Sequence, residues 1–306
     1  MTEYTMTKKV LISGGSGLVG TALSKKLIAA GYEVNILSRR PGIKDGIKAF
    51  EWNIEKTEID MEAYKGVTAI IHLAGAGIAD SRWTNSRKEV LVDSRVESAR
   101  LLYLGAVKAG VNLSAFVSAS GINYYGSNTT DHIFVESDPP TSEFISDCCV
   151  QWEAAADEFK ELTRVVKLRT GIVMSQNGGA LDRMAKPIKL GIGSPLGSGN
   201  QYVPYIHIDD LCEMYLYALE NKSVNGAYNA CNGDHINNIE LTETLARALR
   251  RPLWMPNVPE FALKLLFGEM ADILLYGSRA SADKINSTGF NFRFQNLEQT
   301  LYDIYE

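Results

Sequence analysis

The chain has 306 residues, 45% of them apolar and 22% charged, the proportions of a globular protein with one large or two modest domains. A formal charge of −5 without a dense Lys/Arg run excludes a nucleic-acid surface. No apolar run approaches the ~18 residues of a membrane span, no signal-peptide core opens the sequence, and four cysteines make a poor disulfide framework, so a soluble cytoplasmic protein is expected.

Val10–Ser13 is a short apolar run, as expected of a parallel strand buried on both faces. "GGSGLVG" follows, with Gly14, Gly17 and Gly20 spaced G-x-x-G-x-x-G. Leu18, Ala22, Leu23 and Leu27 then recur at helical spacing, and Gly31 ends the helix. Val34–Leu37 is a second buried strand. Strand, glycine turn, helix and strand within ~30 residues make a dinucleotide-binding unit. The glycines allow a tight turn, backbone approach to a pyrophosphate and close helix–strand packing, and the helix N-terminus offers free N–H groups. Gly14, Gly17, Leu18, Val19 and Gly20 are therefore candidate cofactor contacts.

The end of the second strand selects the nicotinamide cofactor. An acidic residue there holds the ribose 2′-OH of NAD, whereas arginine accommodates the 2′-phosphate of NADP. "LSRRPG" places Ser38, Arg39 and Arg40 at that point and no carboxylate, which favours NADP(H) over a merely solvated basic turn.

Further buried strands are expected at Ala69–Leu73, Ala115–Ser118 and Val165–Leu168, with helices over Asn85–Ala109 and Asp147–Leu162. The alternation predicts an α/β fold, a doubly wound parallel sheet of the Rossmann type. Beyond Val173 the texture becomes rich in glycine and proline, then helical again. The expected division is a cofactor domain over 1–174 and a small C-terminal substrate lobe over 175–306, with about 203–231 returning to the first domain.

"GGSGLVG", "HLAGAGI", "FVSASGINYYG", "LRTGIV" and "YIHIDDL" come in this order along nearly the whole chain, which resembles the extended short-chain dehydrogenase/reductase superfamily. "HLAGAGIADSRWT", "DSRV", "CCVQWEAAA" and "PLGSGNQ" make it more similar to an atypical branch, the epimerase family proteins or predicted nucleoside-diphosphate-sugar epimerases. The resemblance implies that Leu73, Ala74 and Gly75 line the cofactor. It also implies a reactive Tyr-x-x-x-Lys helix, and here the chain departs from the pattern. Cys149 falls at the tyrosine position and Glu153 at the lysine position, while the one Tyr-x-x-x-Lys, Tyr4 to Lys8, precedes the first strand.

A carboxylate neighbour raises a thiol pKa rather than lowering it, and free cysteine is commonly a buried small hydrophobe. Packing is the favoured reading for Cys149, against substrate contact or a reactive thiol. Proton transfer then falls to Ser118, Ser120, Tyr124 or water, with strand capping or packing as the alternatives for these side chains. Arg82, Trp83 and Tyr125 are candidate substrate contacts, the arginine for an anionic group and the tryptophan for stacking. His207, Asp209 and Asp210 are expected to be structural, with an aspartate capping the next helix, and no metal site is expected. The sequence therefore predicts an NADP(H)-binding oxidoreductase for a small-molecule substrate, monomeric or homodimeric. A non-catalytic NADP(H)-binding sensor or partner module is the alternative, and a nucleoside-diphosphate-sugar epimerase the third reading.

Overall fold

The structure is a computed structural model that describes residues 8–44, 46–176 and 178–306. Tyr4, half of the displaced Tyr-x-x-x-Lys pair, lies outside the described residues. The first half of the chain forms strands β1 (Lys9–Ser13), β2 (Glu33–Ser38), β3 (Gly42–Lys44), β4 (Ile47–Asn53), β5 (Glu58–Ile59), β6 (Val67–His72), β7 (Ala115–Gly121) and β8 (Ile133–Phe134). Strands β9 (Val165–Thr170), β10 (Ile172–Met174), β11 (Tyr205–His207), β12 (Gly226–Ala230) and β13 (Arg279–Ala280) follow. The principal helices are α1 (Leu18–Ala29), α2 (Asn85–Ala109), α3 (Phe144–Asp157), α4 (Gly179–Lys189), α5 (Ile208–Glu220), α6 (Asn238–Ala248) and α7 (Glu260–Phe267).

The main sheet runs β12-β9-β7-β6-β1-β2-β4-β3, with β5 paired to β4. Every pairing from β12 to β4 is parallel, and only β3 and β5 run antiparallel to β4. The chain first moves outward from β1 through β2 and β4, then crosses back to β6 and moves the other way. That reversal lies between β1 and β6, so the glycine turn after β1 opens at the topological switch point.

Period-two alternation distributes the core. Val10 and Ile12 of β1 pack with Leu23 and Leu27 of α1 and with Leu211 and Tyr215 of α5 on one face. Leu11 points the other way, toward Ile70, Phe116 and Phe159 beneath α2 and α3. The Phe116 and Phe159 rings stack 3.7 Å apart. A third core joins α4, α6 and the C-terminal helix Leu297–Tyr305 through Leu181, Leu245 and Leu301. Strand β12 lies in the main sheet beside β9, although it follows α4 in the chain. Among the described residues no helix is long and apolar enough to cross a membrane.

Several boundaries differ from those the sequence predicts. Strand β7 continues to Gly121 and β9 to Thr170, while β6 ends at His72 and leaves Leu73 in the following loop. Helix α3 begins at Phe144, and its expected last turn is a 3₁₀ turn over Glu158–Glu161. The cap of α5 is His207 rather than an aspartate: its Nδ1 accepts from the Asp209 amide at 3.1 Å. Asp210 instead accepts from the amides of Arg293 and Phe294, at 2.9 and 3.0 Å, and fastens the segment before the C-terminal helix to α5.

Candidate functional site

The glycines of the turn after β1 do different work. Gly14 has a φ of 71°, and a Cβ there would lie 2.8 Å from the Leu73 carbonyl. A Cβ on Gly15 would lie 2.4 Å from Ile36 Cγ2, and one on Gly20 2.3 Å from the Gly14 oxygen. These three are fixed by packing against the β6 loop, β2 and the turn itself. A Cβ on Gly17 would meet only the Gly14 oxygen, at 3.3 Å, so this position has an open side. Gly17 also caps α1 without a side-chain hydrogen bond. The first amides of α1, at Leu18, Val19 and Gly20, have no acceptor within the helix, which suits them to an anion.

Strand β2 delivers Arg39 and Arg40 beyond its last residue. Both are exposed, the Arg40 amide donates to Ser38 Oγ at 3.2 Å, and neither guanidinium forms an ion pair among the described residues. Across the turn, the Leu73 amide donates to the Ser13 carbonyl at 3.1 Å, which binds the β6 loop to β1. His72, just before that loop, is fully buried. Its Nδ1 is 2.8 Å from Ser13 Oγ, and its Nε2 is 3.1 Å from the Arg95 carbonyl. Burial pushes its pKa down to about 4, so the ring is a neutral tie between β1, β6 and α2.

The expected proton carriers fare unequally. Because β7 extends to Gly121, Ser118 and Ser120 lie within the strand instead of at its end. Ser118 is fully buried with its hydroxyl on the Ala119 carbonyl at 2.9 Å, and buried Ser120 donates to Glu153 Oε1 at 2.9 Å. Both hydroxyls expected to carry a proton are thus buried and engaged within the protein. Tyr125, expected at the substrate, lies inside the protein. It is fully buried, donates to Asn229 Oδ1 at 2.8 Å and accepts from Arg169 Nη1 at 2.9 Å. Tyr124 is half-buried, with the Arg169 guanidinium 3.4 Å from its ring centroid, and its hydroxyl makes no hydrogen bond among the described residues.

Glu153 has a structural role that the sequence did not disclose. From α3 it reaches β9 and grips Arg169 with both oxygens, at 2.7 Å to Nε and 3.1 Å to Nη2. Lys167 lies 3.6 Å from the same carboxylate and pairs with Asp157 at 2.9 Å. Burial by itself lowers the Arg169 pKa, but the Glu153 and Tyr125 contacts outweigh it and hold the guanidinium charged. Cys149 is buried, with Sγ 3.3 Å from where a Cβ on Gly121 would stand. Burial first, then its neighbour Cys148, pushes the Cys149 thiol up to about 12. At neutral pH the group at the tyrosine position is therefore a protonated thiol.

The loop after β6 is clasped from both sides. Arg82 Nε donates to the Leu266 carbonyl at 3.0 Å, and its Nη2 donates to that of Leu265, at the end of α7. Trp83 Nε1 donates to the Ile78 carbonyl at 3.0 Å, and its ring meets Phe144 edge-on at 5.2 Å. Arg183 of α4 reaches Asp80 at 2.8 Å, and Lys88 of α2 reaches Glu269 at 2.5 Å. Arg82 thus ties the β6 loop to α7, while Trp83 packs that loop against α3. Among the described residues, no group of three or more His, Cys, Asp or Glu is placed to hold a metal ion.

Two family models match the chain. Residues 10–231 match the NAD dependent epimerase/dehydratase family, and residues 258–304 match a domain of unknown function, DUF1731. An epimerase family protein of Mycobacterium bovis is 36% identical over 297 residues, covering 95% of this chain and 96% of that protein. The human epimerase family protein SDR39U1 is 33% identical over 299 residues, covering 97% of this chain and 99% of that protein. The crystal structure of human SDR39U1, isoform 2, with NADPH superimposes with a TM-score of 0.87 at 32% identity, covering 97% of this chain and 99% of that one. With the glycine turn at the switch point, a parallel sheet in the same order of motifs and relatives matched end to end, the chain belongs to the NAD dependent epimerase/dehydratase family.

Proposed function

We propose that the protein binds NADP(H) across the glycine turn and acts as an oxidoreductase on a small carbonyl or hydroxyl substrate. The observation that carries the cofactor choice is the pair Arg39–Arg40, exposed at the end of β2 and without a carboxylate partner among the described residues. The NADPH in the human relative's structure supports the same cofactor here. Bound NADPH would supply hydride chemistry. The open side of Gly17 and the first amides of α1 receive the pyrophosphate, and the two guanidiniums receive the 2′-phosphate. Tyr124 gives or takes the proton at the substrate oxygen, with Arg169 fixing its ring.

Tyr124→Phe is expected to lower NADPH oxidation with a panel of small carbonyl compounds by about 10²-fold, the ordinary share of a positioned acid–base group. Its NADPH affinity and thermal stability should match the parent, because the hydroxyl it removes bonds to nothing in the described protein. An unchanged rate would remove Tyr124 from the chemistry. A second reading, a non-catalytic NADP(H)-binding sensor or partner module, is favoured by the protonated Cys149 thiol and the immobilised Glu153. NADPH binding without turnover of any carbonyl would select it. Epimerisation of a nucleoside-diphosphate sugar ranks third, since it requires a proton relay in addition to the hydride.

A further inference from the structure

Arg95 is a buried cation without a counter-charge among the described residues. It lies within α2, behind the loop that follows β6, and is 6% exposed. Its guanidinium donates to two neutral carbonyls, those of Leu91 at 2.7 Å and Ala76 at 3.0 Å, and lies 5.0 Å from the Trp152 ring. The titratable groups around it are the Cys148 and Cys149 thiols, the Arg87 guanidinium and the neutral His72 ring, and burial depresses its pKa more than any charged neighbour does. No carboxylate forms an ion pair with it among the described residues. The other deeply buried cations have one: Arg169 has Glu153 at 2.7 Å, and Lys167 has Asp157 at 2.9 Å. Burying a lone charge is costly, so stability alone would favour a neutral side chain here.

The position of that charge relative to the glycine turn is defined by two close approaches. A Cβ on Gly75 would lie 3.1 Å from the Arg95 guanidinium carbon, and Gly75 itself is exposed. The neighbouring Ala74 amide lies 2.9 Å from where a Cβ on Gly14 would stand. The guanidinium therefore packs against the same loop, Leu73–Gly77, whose first residues border the glycine turn. A side chain at Gly75, expected at the cofactor, would press on this arginine, which would have to shift by a few tenths of an ångström.

We infer that Arg95 is the counter-charge for the dinucleotide's pyrophosphate, acting through the Leu73–Gly77 loop without touching the ligand. The inference rests on the dinucleotide-binding reading of the same cleft. It assigns Arg95 to electrostatic positioning of the part that NADPH and NADH share, whereas Arg39 and Arg40 act on the 2′-phosphate that NADPH alone carries. A unit charge several ångströms from an anion in a partly buried site alters its binding constant by about tenfold, and surrounding salt screens it weakly.

The test is calorimetric titration of NADPH and NADH into the parent protein and the variants R95K, R95Q and R95M, with thermal melts of each protein free of ligand. R95K, which keeps the charge, should bind both dinucleotides nearly as the parent does. R95Q and R95M should bind both about tenfold more weakly, with ligand-free melting temperatures close to or above the parent's because the uncompensated charge is gone. Parent-like affinity in R95Q overturns the inference, and a melting temperature that falls without loss of affinity identifies Arg95 as a structural tie instead. Equal losses in R95K and R95Q also overturn it, because charge would not be the cause. A parent that binds neither dinucleotide would refute the cofactor reading itself and this inference with it.

Discussion

Replacing Gly17 by valine is expected to abolish measurable NADPH binding while leaving the fold intact. The backbone there, with φ of −80° and ψ of 178°, is one that any residue adopts. The new Cβ meets only the Gly14 oxygen at 3.3 Å, so the ligand-free protein should lose no more than about 1 kcal/mol. The rest of the side chain would stand on the open side of the turn, in the path of the pyrophosphate, and affinity should fall by about a hundredfold or more. Gly20→Val is the control. Its Cβ would stand 2.3 Å from the Gly14 oxygen and 2.6 Å from the Gly15 Cα, so overpacking should destabilise the protein itself by about 1–3 kcal/mol or more. Circular dichroism melts and fluorescence titration of both variants separate the two effects. Normal NADPH binding by Gly17→Val would mean that the pyrophosphate does not lie on this turn.

Glu153→Leu should be among the most damaging substitutions outside the turn. It leaves the Arg169 guanidinium, 4% exposed at its side chain, with a phenol and a carbonyl as its remaining partners. Removing one partner of a buried ion pair typically costs about 3–5 kcal/mol, because the other charge stays buried and uncompensated. Lys167 should suffer less, since Asp157 still pairs with it at 2.9 Å. The double variant Glu153→Leu/Arg169→Met removes both charges and should recover much of that loss. Denaturant unfolding of the two single variants and the double completes the cycle. If Glu153→Leu is as stable as the parent, the carboxylate is not the anchor of this network.

The parallel sheet was legible because buried strands leave short apolar runs, and Val10–Ile12, Ile70–Ile71 and Val165–Val166 are such runs. Strands β3 to β5 at one end of the sheet were not, since β3 and β5 are only three and two residues long and "IKAFEWN" of β4 interrupts its buried residues with the exposed Lys48 and Glu51. Strand β7 outran its expectation because "SASG" has little intrinsic β-preference. Its parallel pairing with β9 through Gly121↔Thr170 holds it extended nonetheless, and this buries the two serines expected at the cleft. The glycine turn and "LSRR" could be read directly because each motif is local. Glu153 with Arg169, and Arg95 with Ala76, are 16 and 19 residues apart. Periodicity tells which face of an element is buried, but not which polar side chain on one element meets which on another. A buried carboxylate replacing a catalytic lysine therefore looked like lost chemistry, whereas in the fold it is the counter-ion of a strand arginine.

The measurement that bears most directly on the account is calorimetric titration of the parent protein and Arg39→Ala/Arg40→Ala with NADPH and with NADH. Two guanidiniums on the 2′-phosphate, as charge-assisted hydrogen bonds, should favour NADPH by about 10–100-fold in the parent. The double variant should lose that preference by weakening NADPH binding alone, with NADH binding unchanged. Equal affinity of the parent for the two dinucleotides, or tighter binding of NADH, would contradict the assignment of this cleft to NADP(H).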